Sequence, residues 1–172
     1  FIKIKLKYST MKKNILNLFM LLLIFVESNA QCDIKTNNRP DGNTIKYFSP
    51  KPIVREKKFE LGASIYQNQT TGQYLFNMVV LHKNGIPKDV TGNLKMQTNS
   101  NNGIALDIIE SKQVKMNGNN VTIAMFEIDK RTYSILKSSP LKSIFFELNG
   151  ELFGSTITEN RNLLITQLQC LE

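Results

Sequence analysis

Asn-Gly dipeptides punctuate this chain at four places, Asn84-Gly85, Asn102-Gly103, Asn117-Gly118 and Asn149-Gly150, each between apolar runs. Both central residues of a type I′ turn need positive φ, which Asn and Gly tolerate, so the pair marks tight hairpins. Four such signals in one chain point to antiparallel strands, over residues 90–98, 104–110, 112–116 and 121–128. Upstream, Phe59, Leu61, Ala63 and Ile65 alternate with Glu60, Gly62, Ser64 and Tyr66, the period of a half-buried strand. After a turn at 68–72, residues 73–82 are apolar on both parities, with Tyr74, Phe76, Met78 and Val80 on one and Leu75, Val79 and Leu81 on the other. That pattern predicts a central strand covered on both faces.

The C-terminal third mixes periods. Asp129 is placed to cap a short helix over 130–138, with Tyr133 and Leu136 on one face and Pro140 preventing its continuation. Residues 141–148 and 151–158 predict a hairpin about Asn149-Gly150, with Phe146 opposite Phe153 and Phe145 over Gly154. Over 160–171, Leu163, Leu164, Gln167, Leu168 and Leu171 fall at helical spacing, with Cys170 on or beside the apolar stripe. The fold class expected is α+β: an antiparallel, hairpin-rich sheet with a short helix and a C-terminal amphipathic helix on one face or end. A β-sandwich with a terminal helix is the alternative, and parallel α/β is disfavoured because most strands have no helix between them.

The N-terminal part reads as a targeting device. Residues 1–10 precede Met11 and read as upstream translation. From Met11, Lys12 and Lys13 lead into an apolar run over 15–26 and then Ser28-Asn29-Ala30, the layout of a signal peptide over 11–30 cleaved between Ala30 and Gln31. A membrane-spanning helix needs roughly 20 apolar residues, and Glu27 stops this run well short of that. A lipid anchor on Cys32 would need a small residue before it, where Gln31 stands. Without residues 1–30 the chain keeps 17 basic and 13 acidic residues, so a formal charge of +8 falls to +4. Residues 31–58, with Asn37, Asn38, Pro40, Asp41-Gly42, Pro50 and Pro52, read as an extended N-terminal segment ahead of a single domain over 59–172. The two cysteines, Cys32 and Cys170, both survive processing, and an even count in an exported chain favours a disulfide between them. The alternatives are two buried thiols or a nucleophilic Cys170, whose neighbours Gln167 to Leu171 include no basic partner to lower its pKa.

The stretch from Phe126 to Leu171 carries Asp129, Leu136-Lys137-Ser138, Ser143-Ile144-Phe145-Phe146, Asn149-Gly150 and Leu168-Gln169-Cys170-Leu171. It resembles the C-terminal part of small exported Bacteroidota proteins of uncharacterised function, and the Ala30-Gln31 site is similar to signal cleavage sites of that phylum. The resemblance covers about a quarter of the chain and implies no catalytic residue.

Catalytic and metal-binding candidates are few. His82 is the single histidine, which excludes a His-rich metal site and leaves one imidazole for acid–base work. Asp107 and Glu110 have opposite parity in a regular strand, and Glu127 and Asp129 flank a helix start, so neither pair is placed for glycoside chemistry. No Asp-rich calcium loop, phosphate-binding glycine loop or nucleophile elbow occurs, and Ser64, Ser143 and Ser155 have no base nearby in sequence. Arg55, Lys57 and Lys58 surround Glu56, Lys130, Arg131 and Lys137 lie on the short helix, and Lys112 and Lys115 lie near a hairpin. These read as solvated surface, or weak attraction to an anionic envelope, rather than a nucleic-acid groove. Asn68-Gln69-Thr70 and Asn120-Val121-Thr122 match a eukaryotic glycosylation acceptor, but the Asn- and Lys-rich composition reads as bacterial and both are taken as turns.

The expectation is therefore a non-enzymatic, exported module, periplasmic or extracellular, that binds a protein, glycan or envelope component. It needs no cofactor, metal or nucleic acid and has no membrane span after processing. Its binding surface is the exposed sheet face or the loops 99–102 and 117–120, whose amides suit polar ligands. The alternatives are a small hydrolase relying on His82, and a carrier of a small apolar ligand, which would need a closed barrel with an empty interior.

Overall fold

The computed structural model describes residues 32–83 and 85–172. The expected upstream segment, the signal peptide with its Ala30 and Gln31 cleavage site, and Asn84 lie outside the described residues.

Among the described residues the chain forms β1 (Lys35–Asn38), β2 (Thr44–Tyr47), β3 (Lys51–Arg55), β4 (Phe59–Asn68), β5 (Tyr74–His82), β6 (Val90–Thr98), β7 (Gly103–Leu106), β8 (Ile108–Met116) and β9 (Asn119–Ile128). Helix α1 (Lys130–Ser138), β10 (Leu141–Leu148), β11 (Glu151–Thr156) and helix α2 (Leu163–Cys170) follow. Strand pairing is antiparallel throughout. One sheet has the order β1-β2-β4-β5-β9-β8, with β3 also paired to β4, and a second has the order β11-β10-β6-β7.

The two sheets share one core. Leu61, Ala63 and Ile65 of β4 stand opposite Val80, Met78 and Phe76 of β5, and Phe76 stands opposite Phe126 of β9; all are buried. Leu94 and Met96 of β6 with Ile144, Phe146 and Leu148 of β10 belong to the same apolar cluster, and Phe59 meets Phe146 edge to face across the sheets. The chain passes from one sheet to the other at Asp107, whose carbonyl accepts a 3.2 Å hydrogen bond from the Glu127 amide. On the far side the sheets are stitched where the Thr158 and Glu159 amides both donate to the Ile53 carbonyl, at 3.1 and 3.2 Å.

Both helices serve this frame. The Asp129 carboxylate accepts from the Thr132 amide at 2.6 Å and starts α1. On α2, Leu164 and Leu168 enter the core, and the buried Gln167 Oε1 accepts from the Ile65 amide at 2.8 Å. Cys170 is bonded to Cys32 across 138 residues.

The architecture is largely β. The antiparallel hairpins, the short helix and the terminal helix agree with expectation, but two sheets replace the single sheet, so the α+β description holds only in part. Alternation along β6 and β10 is equally compatible with pairing into one sheet or facing it from a second, which is why pattern alone did not separate the two. Residues 35–55 are extended as read, yet they are three strands joined to the larger sheet and not a segment ahead of the domain.

The expected strands over 104–110 and 112–116 are instead divided at Asp107. Leu106 belongs to the second sheet and is buried, while Ile108 belongs to the first and packs half-buried against the same core, so the alternation runs through Asp107 without marking the change of sheet. The Asn102-Gly103 turn is displaced: Asn101 takes the positive φ of 61°, and Gly103 begins β7. Asn117-Gly118 and Asn149-Gly150 both adopt two positive φ values, as a type I′ turn needs. Strand β5 is central, but Leu75, Val79 and Leu81 on its second parity are half-buried and stand outside the core cluster. Helix α2 starts at Leu163 because Asn160 takes φ 48° and donates its side-chain amide to the Pro52 carbonyl at 2.7 Å.

Candidate functional site

The antiparallel register of β4 and β5 sets Phe59 opposite His82, and that of β5 and β9 sets His82 opposite Asn120. At this end of the strands the tight turn before Phe59 is held by the Glu56 amide on the Phe59 carbonyl, 2.9 Å, and by the Lys83 amide on the Lys58 carbonyl, 3.0 Å. This turn, the 85–89 segment and β11 enclose a cleft of about 530 Å3. Its cationic wall is Lys57, Lys58 and Lys88, and its floor is Phe59, Leu148 and Phe153. Ile86 stands on the rim with 86% of its surface exposed. A shallower depression of about 350 Å3 shares Lys57, Lys58, Phe59 and Phe153 and extends to Glu56, Gly154 and Ser155.

The floor is rigid because its rings lock into the core. Phe59 meets Phe146 and Phe153 edge to face at 5.7 and 5.8 Å, and Phe146 and Phe153 stack at 5.8 Å. On the opposite face of this hairpin Gly154 gives room to Phe145, since a Cβ there would lie 2.6 Å from a carbon of that ring. Lys88 Nζ sits 5.9 Å from the centre of the Phe153 ring and pairs with Glu151 at 2.8 Å.

His82 forms one side of the cleft. Its Nε2 lies 2.9 Å from Thr122 Oγ1, and Thr122 donates its only hydroxyl proton to the Lys88 carbonyl at 2.7 Å. Thr122 must therefore accept from His82, which puts the proton of the neutral imidazole on Nε2 and leaves the Nδ1 lone pair free. Burial, followed by the Lys88 ammonium, holds the imidazole pKa below its ordinary value. Among the described residues His82 makes no ion pair or hydrogen bond with a carboxylate. A relay to a hydroxyl nucleophile needs that hydroxyl free to be deprotonated and a third group to orient the ring. Here the hydroxyl's proton is already committed to a backbone carbonyl.

The other residues singled out in the sequence are not brought to this place as a reacting set. Ser64 accepts from Asn77 at 2.9 Å, Ser143 lies in β10 opposite Gln97 and Thr156, and Ser155 approaches Glu56 at 3.5 Å in the adjoining depression. Asp107 marks the crossing between sheets, and Glu110 pairs with Lys112 at 3.4 Å. Arg55 is held between Glu60 and Glu159, at 2.6 and 2.7 Å. Asn120 donates to the Gly85 carbonyl at 3.3 Å and Asn101 accepts from Lys142 at 3.2 Å, so these loop amides steady the loops that carry them.

At the opposite end of β4 and β5 lies an open depression of about 900 Å3 that includes Tyr74, Tyr133, Glu127 and Asp129. Glu127 accepts from Gln73 at 3.0 Å, and the Thr132 amide holds the Asp129 carboxyl below the usual carboxylate range. Burial, then the neighbouring Tyr74 and Glu172, push the Tyr133 phenol up to about 12, so it remains a hydrogen-bond donor near neutrality. Among the described residues no three His, Cys, Asp or Glu side chains are gathered to hold a metal ion, and no helix is long and apolar enough to cross a membrane.

Lys88 and Ile86 were not singled out in the sequence, and Phe153 only as the hairpin partner of Phe146, although Lys57-Lys58-Phe59 and His82 were visible as separate features. The signal that joins them is the hairpin register that places Phe59 against His82. Fold and site together define a two-sheet antiparallel domain, clasped by a disulfide, with a cationic cleft over an aromatic floor. Comparison with protein-family models, with curated proteins and with solved structures gives no match for this chain.

Proposed function

We propose that this chain is an exported, non-enzymatic binding module that receives its ligand in the cleft beside His82. The observation that carries the reading is the setting of the single histidine: it faces lysines and an aromatic floor, with its one hydroxyl partner committed to the Lys88 carbonyl. Such a place has shape, charge and apolar surface for recognition but no acid–base relay. Export agrees with the Cys32–Cys170 bond, which suits an oxidising compartment, with the signal-like layout of residues 11–30 and with the resemblance to small exported Bacteroidota proteins. The interior described above is filled by side chains such as Phe76, Met78, Leu94 and Phe126, so a ligand sits at the mouth between the sheets and not in a lumen.

The test expresses the full chain in a bacterium with an outer membrane. Purified protein is then assayed on ester, peptide and glycoside substrates beside His82→Gln, and its retained small molecules are read by native mass spectrometry. Binding without turnover, in an oxidised protein recovered outside the cytoplasm, is the expected result. Turnover lost in His82→Gln would overturn the reading, as would recovery of a reduced protein in the cytoplasm.

A further inference from the structure

Resting on that reading, we propose that the cleft takes a single-chain anionic amphiphile, its head held by Lys57, Lys58 and Lys88 and its alkyl tail laid over Phe59, Phe153 and Ile86. The charge favours an anion. Among the described residues Lys57 and Lys58 make no ion pair, and Lys88 has only the exposed Glu151. Three lysines therefore border one small concavity with Glu151 as the carboxylate paired to one of them, a setting whose net positive charge attracts an anionic head.

The surface beneath the charges favours a tail. Ile86 exposes 86% of its surface at the rim beside the half-buried Phe153, and an alkyl chain seated there removes Ile86 and the open edge of Phe153 from water. The size favours one chain: about 530 Å3, with a further 350 Å3 alongside, is the scale of a small-molecule site and not of a protein interface. Glu151, paired with Lys88, and Glu56 in the adjoining depression oppose a polyanion or an acid-rich peptide running along the cleft more than a lone head group, for which Lys57 and Lys58 carry no carboxylate partner among the described residues.

The test titrates the full chain, purified and delipidated, with monomeric dodecanoate, followed by calorimetry at low and high salt. Dodecanol, acetate and an acid-rich peptide are the comparison probes. Dodecanoate should bind at least about tenfold tighter than each of them, a preference of about 1.4 kcal/mol. The exposed double variant Lys57→Gln/Lys58→Gln should bind dodecanoate about tenfold more weakly and with a flattened salt dependence, as expected for two partly screened contacts. Ile86→Ser should weaken binding while leaving the salt dependence unchanged.

Equal binding of acetate would reduce the cleft to a simple anion site, and equal binding of dodecanol to an apolar one; either overturns the proposal. So does tighter binding of the acid-rich peptide, or indifference to the lysine substitutions. If dodecanoate fails while protein from the cell envelope retains some other small molecule, this proposal falls and the binding-module reading stands. If His82-dependent turnover is found, it is the reading itself that falls.

Discussion

Replacing both cysteines by serine removes the one covalent link between the N-terminal strand region and the last helix. The bond closes a loop with a sequence separation of 138 residues, for which the chain-entropy relation gives about 5 kcal/mol of stabilisation through restriction of the unfolded state. For a domain spanning Cys32–Glu172, the usual unfolding entropy converts this into a fall of about 15 °C in Tm. The chain has no tryptophan, so urea unfolding is followed by far-ultraviolet circular dichroism and tyrosine emission on the oxidised protein and on Cys32→Ser/Cys170→Ser. The midpoint should fall and the denaturant slope should rise, because the released unfolded chain exposes more surface. An unchanged midpoint would refute the reasoning. Amide exchange gives a second check, since among the described residues β1 pairs only with β2 and its four residues are exposed. If the variant loses protection at β1 and β2 alone while the core keeps its full value, the bond acts by local tethering, and a loop entropy spread over the whole chain is the wrong account.

Three further outcomes are expected. Gln167→Leu leaves the buried Ile65 amide without an acceptor and should cost about 1–3 kcal/mol in urea unfolding, with the α2 face losing amide protection first. Folding holds the His82 pKa below its ordinary value of 6.5, so as pH falls the unfolded chain takes up that proton first. Its contribution to stability is therefore present above about pH 6.5 and lost as pH falls through the folded value, a dependence that His82→Gln should flatten in urea midpoints measured against pH. Asp129→Ala should speed amide exchange in the first turn of α1, read at Thr132 by nuclear magnetic resonance, while Asp129→Asn, which keeps an acceptor, should restore most of the protection.

Local signals in the sequence were reliable wherever one residue type forces one backbone state. The Asn117-Gly118 and Asn149-Gly150 hairpins, the Asp129 cap and the Phe146–Phe153 register are of this kind. The partition into two sheets was not legible, because a strand such as β6 shows the same alternation whether its apolar side faces a helix or a second sheet. Even the crossing at Asp107 is silent in the pattern, because Leu106 and Ile108 would share a face in one uninterrupted strand as well. The cleft was legible only in pieces. His82 and the Lys57-Lys58 pair stood out by chemistry, but Phe153 lies far along the chain and joins them only because β11 edges the second sheet beside the turn before Phe59.

The two ends of the sheet pair are fastened in different ways. At Asp107 the backbone itself runs from one sheet into the other, whereas at Ile53 the joint is non-covalent: two amide hydrogen bonds, the Asn160–Pro52 hydrogen bond and the exposed Arg55–Glu159 pair over the buried Ile53 and Val54. The sheet pair thus resembles a book, with a covalent spine along β7 and β8 and a fore-edge along β3 and β11. The depression beside Gly154 lies on the fore-edge, bordered by Glu56 ahead of β4 and Ser155 of β11, so its two walls come one from each cover.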